Sequence, residues 1–334
     1  MASSADPLSA HVRTPEDIAL RADVDDVAPL LPPDPTRLFA ERALRLRQLA
    51  AGHAMRDYLM LLALICEAQH ARAQQRIALA LPTPAQRDAA AEAGEPPLGA
   101  TCWQRDPQWR ADLRALAAQV LERLAADSPA RAAVQRAAAM ADAELEQQAD
   151  RLLAGITLGI EMAAAPLIAA GLQLYFTQLV AAAAADPSSG ALAVPAQATR
   201  CPWCGSLSVA SVTRTSGERE GQRYQHCMLC SAQWHFDRVC CTHCLARDGI
   251  HFRSLQAIDA PANESGKRPA VEAETCEHCH HYLKIMHTAR DPFVEPMADD
   301  LATLTLDLLV ADAGYDRHGS NLLLLFGDAE PAAD

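Results

Sequence analysis

The sequence predicts an α+β protein: an all-α N-terminal domain, then two rubredoxin-like or zinc-ribbon-like metal modules, then a C-terminal helix. Three observations predict it. The chain is rich in alanine and only 4% aromatic, which favours closely packed helices over an aromatic-rich sheet in the first half. Nine of the eleven cysteines lie between Cys201 and Cys279. Between the two regions stands "DPSSGALAVPAQATR" (186–200), small and proline-containing, with the composition of a linker.

Residues 1–33 are rich in Pro and Asp with little periodicity, and are expected to form an irregular arm. The helical domain spans 34–185. Asp34-Pro35 reads as N-cap and N1 proline, and "TRLFAERALRLRQLA" spaces Leu38, Leu46 and Leu49 among charges as an amphipathic helix does. Gly52 breaks that helix, and a second runs through "MRDYLMLLALICEAQHARAQQRIALA" to the breakers Pro82 and Pro84. After a loop at Pro96-Pro97-Leu98-Gly99, helices are expected over about 107–126, 129–153 and 156–185. The last of these carries 24 residues without a charge (162–185), long enough to cross a bilayer. Alanine contributes almost no transfer free energy, and Pro166, Gln173 and Gln178 oppose insertion, so a buried bundle helix is expected.

Residues 201–290 form the cysteine-rich region, with strand-like runs "SVASVTR" and "GQRYQHC". Residues 291–334 hold ten acidic side chains against one basic, Arg317. Within them Leu301, Leu304 and Leu308 fall on one helical face, and Gly314 ends the helix at C′. Asp291, Glu295, Asp299, Asp300 and Asp307 have two readings: a surface that steers a basic partner, or solvation and capping of this helix.

Composition narrows the function. A formal charge of −13 and a pI near 5.3 repel phosphate backbones, so no nucleic-acid partner is expected. The start "MASSADPLSAHVRTPED" lacks a basic region followed by an apolar one, so a cytoplasmic location is expected. In that compartment thiols stay reduced, which argues against a disulfide scaffold.

The cysteines then fall into pairs: Cys201/Cys204 in "CPWCG", Cys227/Cys230 in "CMLCS", Cys241/Cys244 in "CTHCL" and Cys276/Cys279 in "CEHCH". A two-residue spacer lets one tight turn present both thiolates to a metal, and two such knuckles complete a tetrahedron. Chain-order pairing gives C-x2-C-x22-C-x2-C and C-x2-C-x31-C-x2-C, with the polar "ANESGKRPA" loop absorbing the longer insertion. Four thiolates suit Zn2+ and equally a mononuclear Fe of the rubredoxin type. Two metals per chain are therefore expected, each coordinatively saturated. "CPWCG" has a glycine to aid the turn; the other three knuckles do not.

A redox dithiol would need a single pair in a βαβ setting, and no such setting surrounds any of the four. Cys66, Cys102 and Cys240 lie outside the complete sets and are read as bystanders. His226, His235, His243, His278, His280 and His281 crowd the knuckles and are read mostly as solvated surface groups. No nucleophile–base set, glycine-rich phosphate loop or HExxH motif is present, so catalytic residues and an enzymatic activity are not expected.

The residues that identify a family are "CPWCG", "RYQHCMLCSAQWH", "RVCCTHC", "ETCEHCHHYLK", "DPFVEPMADDLATLTLD" and "GYDRHGSN", with "GHAMRDYL" in the helical half. On these the chain resembles the formate dehydrogenase accessory protein family, FdhE, over most of its length. The resemblance implies a cytoplasmic factor that binds iron in rubredoxin-like modules. It also implies a role in maturing respiratory formate dehydrogenase through association with the enzyme's catalytic subunit. The eight paired cysteines carry over as ligands. Homodimer or monomer is open, and the alternative reading is a zinc-ribbon regulator that binds nucleic acid. That alternative needs a basic face, and residues 201–290 hold ten Lys/Arg against nine Asp/Glu.

Overall fold

The structure is a computed structural model that describes residues 27–75, 79–187, 192, 194–216, 219–255 and 268–325. Most of the expected arm (1–26), part of the linker, most of the "ANESGKRPA" loop and the tail beyond 325 lie outside these residues.

Helix α1 (Leu38–Leu49) buries Phe39, Arg42, Ala43 and Leu46, the i, i+3, i+4, i+7 stripe of a helix laid on a core. It begins three residues later than expected, because the Asp34 side chain accepts from the Thr36 backbone N–H at 2.9 Å and caps a preceding turn instead. Helix α2 (Arg56–Ala73) buries Leu59, Leu62, Ala63 and Cys66, and ends well short of Pro82. Helix α3 (Pro84–Ala93) is one that the breaker reading of Pro82 and Pro84 misses. Its signal is local: Thr83 accepts from the Gln86 N–H, Gln86 returns the bond to the Thr83 N–H, Pro84 sits at N1, and Gly94 closes the helix in the left-handed region.

Helix α4 (Gln108–Arg123) matches expectation, but 129–153 divides into α5 (Ala130–Ala139) and α6 (Asp142–Ala154), the chain turning extended at Met140 and Ala141. Helix α7 (Ala165–Ala185) starts nine residues later than expected, after the Gly155 cap of α6 and a turn-rich stretch. It is long and apolar enough to cross a membrane, yet its side chains are mostly buried against α2, α4, α5 and α6.

Beyond the linker the strands form one eight-stranded sheet. They are β1 (Leu30–Leu31), β2 (Ser208–Ser216), β3 (Arg219–Cys227), β4 (Gln233–Phe236), β5 (Ile250–Arg253), β6 (Val271–Cys276), β7 (His281–His287) and β8 (Asp316–Arg317). The order is β1-β4-β3-β2-β7-β6-β5, with β8 on β7. β2-β3-β4 and β5-β6-β7 are the same antiparallel unit used twice, joined head to tail where β2 runs parallel to β7 (Ser211 opposite Ile285). β1 brings part of the expected arm into the sheet, Leu30 opposite Trp234.

The expected C-terminal helix is two, α8 (Pro296–Ala302) and α9 (Leu304–Asp312), broken at Thr303. The inward face is Leu301, Leu306 and Val310; Leu308 is 59% exposed, so the leucine stripe read from the sequence is not the buried one. Gly314 does take the left-handed conformation, at φ +87°. Gly319 is required more strictly, at φ +89° with the place of a β-carbon 2.1 Å from the Ser208 carbonyl oxygen.

A linker between two independent cores is the simple reading of residues 186–200, and the packing differs. Phe176 and Leu179 of α7, Trp234 of β4, Met286 of β7 and Leu301 of α8 belong to one continuous apolar cluster. Linker residues Leu192, Val194 and Ala198 pack on it, and the Trp234 indole N–H donates to the Ala198 carbonyl at 2.7 Å.

Candidate metal centres

Cys227/Cys230 and Cys276/Cys279 follow directly on the ends of β3 and β6, Cys201/Cys204 precedes β2, and Cys241/Cys244 follows a short loop after β4, yet all four knuckles share one backbone feature. The residue after the second cysteine lies in the left-handed region in all four: Gly205 at φ +72°, Ser231 at +58°, Leu245 at +63° and His280 at +54°. The missing glycines thus do not change the turn; three non-glycine residues accept a conformation that ordinarily costs about 1 kcal/mol or more. Within the turns, backbone N–H groups point at sulfur: Leu229 and Cys230 to Cys227 Sγ at 3.4 Å each, and His243 and Cys244 to Cys241 Sγ at 3.4 and 3.5 Å.

The sulfurs assemble in chain order. Cys201, Cys204, Cys227 and Cys230 converge in one cluster and Cys241, Cys244, Cys276 and Cys279 in the other. Spacings are 3.6 Å (Cys201–Cys230), 3.4 Å (Cys204–Cys227) and 3.7 Å (Cys204–Cys230) in the first, and 3.7 Å for both Cys241–Cys279 and Cys244–Cys276 in the second. A metal–sulfur bond of about 2.3 Å gives tetrahedral edges of about 3.8 Å. A disulfide would need about 2.05 Å, and all eleven cysteines are free thiols. Four buried thiols also conflict electrostatically. Desolvation pushes Cys201 and Cys230 upward, whereas Cys204, against its own desolvation, is drawn down by hydrogen bonds from Cys201, Cys227 and Cys230. A divalent cation removes the conflict, so the donor set fits one metal ion per cluster.

The clusters differ in setting. The first is buried throughout; in the second Cys244 is exposed and Cys279 half-buried. The helical layer covers the first. Ala100 N–H donates to the Cys204 carbonyl at 2.9 Å, Leu98 N–H to Trp203 at 3.0 Å, Gln173 Nε2 to Met228 at 2.8 Å and Thr177 Oγ1 to Cys230 at 3.4 Å. Gln173, which weighs against a membrane span in the sequence, is therefore a buried hydrogen-bond partner of the second knuckle. No sequence signal tied these residues to it.

Cys66, Cys102 and Cys240 stand outside both clusters; Cys66 is fully buried, and desolvation lifts its thiol to about 12. The histidines are not uniformly solvated. His226 is buried, with Gln233 against its Nδ1 at 3.1 Å, and His243 stacks on His281.

The acidic segment also departs from the steering reading. Its carboxylates meet cations inside the protein: Glu295 with Arg42 at 2.9 Å, Asp291 and Asp299 with Arg45 at 2.7 and 2.6 Å, and Asp300 and Asp307 with the wholly buried Lys284 at 3.1 and 2.5 Å. Arg317 reaches Asp300 at 2.7 Å, Asn321 donates to Asp300 at 2.9 Å, and the Tyr282 hydroxyl donates to Asp307 at 2.8 Å. "DDLATLTLD", "YLK" and "GYDRHGSN" are thus three segments of one buried ionic network that ties α8 and α9 to β7. Five neutralised carboxylates project little field toward a partner.

A helical layer packed on a tandem sheet with two four-cysteine clusters defines the class: a metal-module protein of rubredoxin or zinc-ribbon kind. Family models described as FdhE N-terminal, FdhE central domain and FdhE C-terminal domain match residues 27–190, 200–238 and 239–324. The FdhE homolog of Klebsiella pneumoniae subsp. pneumoniae is 36% identical over 304 residues, 91% of this chain and 93% of that protein. Protein FdhE of Escherichia coli K12 is 35% identical over 306 residues, covering 92% and 94%. The crystal structure of the FdhE protein from Pseudomonas aeruginosa superposes with a TM-score of 0.73 at 32% identity, over 89% of this chain and 99% of that one. The chain belongs to the FdhE family.

Proposed function

We propose that this protein is a non-enzymatic cytoplasmic assembly factor for respiratory formate dehydrogenase, which binds the enzyme's catalytic subunit during maturation. The observation that carries this reading is family membership along nearly the whole chain, with both four-cysteine clusters complete. Cys201, Cys204, Cys227 and Cys230 hold one ion and Cys241, Cys244, Cys276 and Cys279 the other, Fe or Zn, and neither ion has an open position for substrate. The organisation is a helical domain (34–185), a linker (186–200), tandem metal modules (201–290) and a C-terminal segment (291–334), arranged around the shared core. The helix 165–185 stays within that core and does not enter a membrane, and nucleic acid is not a partner.

The test is co-purification of the tagged chain with the catalytic subunit from cells grown for formate respiration. The subunit is expected to be retained at raised salt, because Asp291, Glu295, Asp299, Asp300 and Asp307 are already paired with cations inside the protein. Failure to recover it at any salt concentration argues against direct binding. Visible absorption of anaerobically purified protein separates ferric thiolate from zinc.

A further inference from the structure

The second four-cysteine cluster carries more donor atoms on its rim than one ion needs. His243 lies inside the third cysteine pair and His281 two residues after the fourth, and their rings stack at 3.8 Å with planes 10° apart. One ligand atom from each of His243, Cys279 and His281 lies within 4.8 Å of the others. His281 Nδ1 is 2.8 Å from the Cys279 carbonyl oxygen. With Nδ1–H donated there, Nε2 keeps its lone pair, which is how imidazoles that bind metals are held in their tautomer.

A second observation is independent of that geometry. His318, only 8% exposed, stands edge-on to His243 with ring centroids 5.0 Å apart, and its Nε2 has no hydrogen-bond partner. Orphaned buried polar atoms are rare and costly, and an imidazole left so beside two others marks a position where a ligand supplies the missing contact. His243 is exposed, so a cation reaches the cluster from solvent.

We propose that His243, Cys279 and His281 form a third metal position that takes a borderline cation such as Zn2+, the Cys279 thiolate being shared with the ion of the second cluster. This rests on the reading of that cluster as a metal centre. Two neutral imidazoles and a thiolate are a donor set for Zn2+ rather than for Mg2+ or Ca2+, which take oxygen ligands. The fourth position is water, which also gives the orphaned His318 Nε2 a partner. A site with three protein ligands and a water exchanges its ion more readily than either closed cluster.

The experiment titrates the full-length chain with Zn2+ after anaerobic reconstitution, counting bound zinc and measuring affinity by competition with a chromophoric chelator. The expected result is two tight equivalents and one weaker one, with the weaker lost in His243→Ala/His281→Ala while the two tight ones remain. His318→Ala is expected to weaken the third equivalent at least several-fold. Saturation of the parent chain at two equivalents, or a third that survives the double substitution, overturns the proposal. Fewer than two tight equivalents in both proteins overturns the reading of the four-cysteine clusters, and the shared thiolate with it.

Discussion

Cys227→Ser is expected to cost the chain one metal equivalent and its cooperative fold, whereas Cys244→Ser costs one equivalent and only local structure. The first cluster sits in the shared core: Cys227 and Cys230 are wholly buried, and Gln173, Thr177 and Ala100 of the helical layer bond to its knuckle carbonyls. Structural zinc supplies roughly 10–16 kcal/mol of apparent folding free energy at neutral pH, against a net stability of about 5–15 kcal/mol for a whole domain. Losing it where both halves meet exceeds what the rest of the core holds in reserve. At the second cluster Cys244 is exposed, and β5 has Phe252 at 48% exposure, so loss of the ion frees the β5–β6 hairpin without opening the helices. Metal content with circular-dichroism melts of both variants checks this. Equal helical loss in the two would mean that the second cluster is as deeply tied to the core as the first.

Lys284→Met is expected to destabilise the protein by about 3–5 kcal/mol, the cost of leaving a buried charge without its partner. Lys284 is wholly buried between Asp300 and Asp307, and the Asp300 backbone carbonyl also accepts from its Nζ at 2.8 Å. Removing the cation leaves two buried carboxylates to share Arg317. The sign of the pH dependence follows from Asp300. Burial alone would raise its carboxyl, but Arg317 and Lys284 hold it below the usual carboxylate range. A depressed folded value contributes stability above the unfolded value of about 3.9 and loses it as pH falls through the folded value. Part of that contribution belongs to Lys284. The gap in melting temperature between parent and variant is therefore widest at neutral pH and narrows below about pH 4. Glu295 and Asp299 run the other way, because desolvation raises both, and their protonation on acidification relieves a cost. A gap that stays constant from pH 7 to pH 3.5 would mean that Lys284 does not hold Asp300 ionised.

The metal clusters were legible because their signal is local. A two-residue spacer fixes each knuckle, and chain-order pairing follows from the short connections, so the eight sulfurs meet as their spacing implies. The glycine that aids the turn in "CPWCG" has no counterpart in the other knuckles, where Ser231, Leu245 and His280 take the same left-handed conformation. Helix α3 announced itself through Thr83, Pro84 and Gln86, a capping box hidden behind two prolines read as breakers. What stayed invisible is non-local. Nothing in the order of residues says that Arg42 and Arg45 of α1 pair with Glu295 and Asp299 some 250 positions on, or that Lys284 lies under Asp300 and Asp307. Those contacts turn a segment that reads as a charged surface into a buried one. The same contacts join the halves that the linker composition separates.

Deletion of the chain's own gene in its host, followed by assay of formate oxidation, tests the assembly-factor account most directly. The account predicts that formate dehydrogenase activity falls while the transcript and polypeptide of the catalytic subunit persist. Activity returns with the parent chain and not with Cys227→Ser. The purified chain itself is expected to oxidise no formate. Unchanged formate oxidation in the deletion strain would contradict the account.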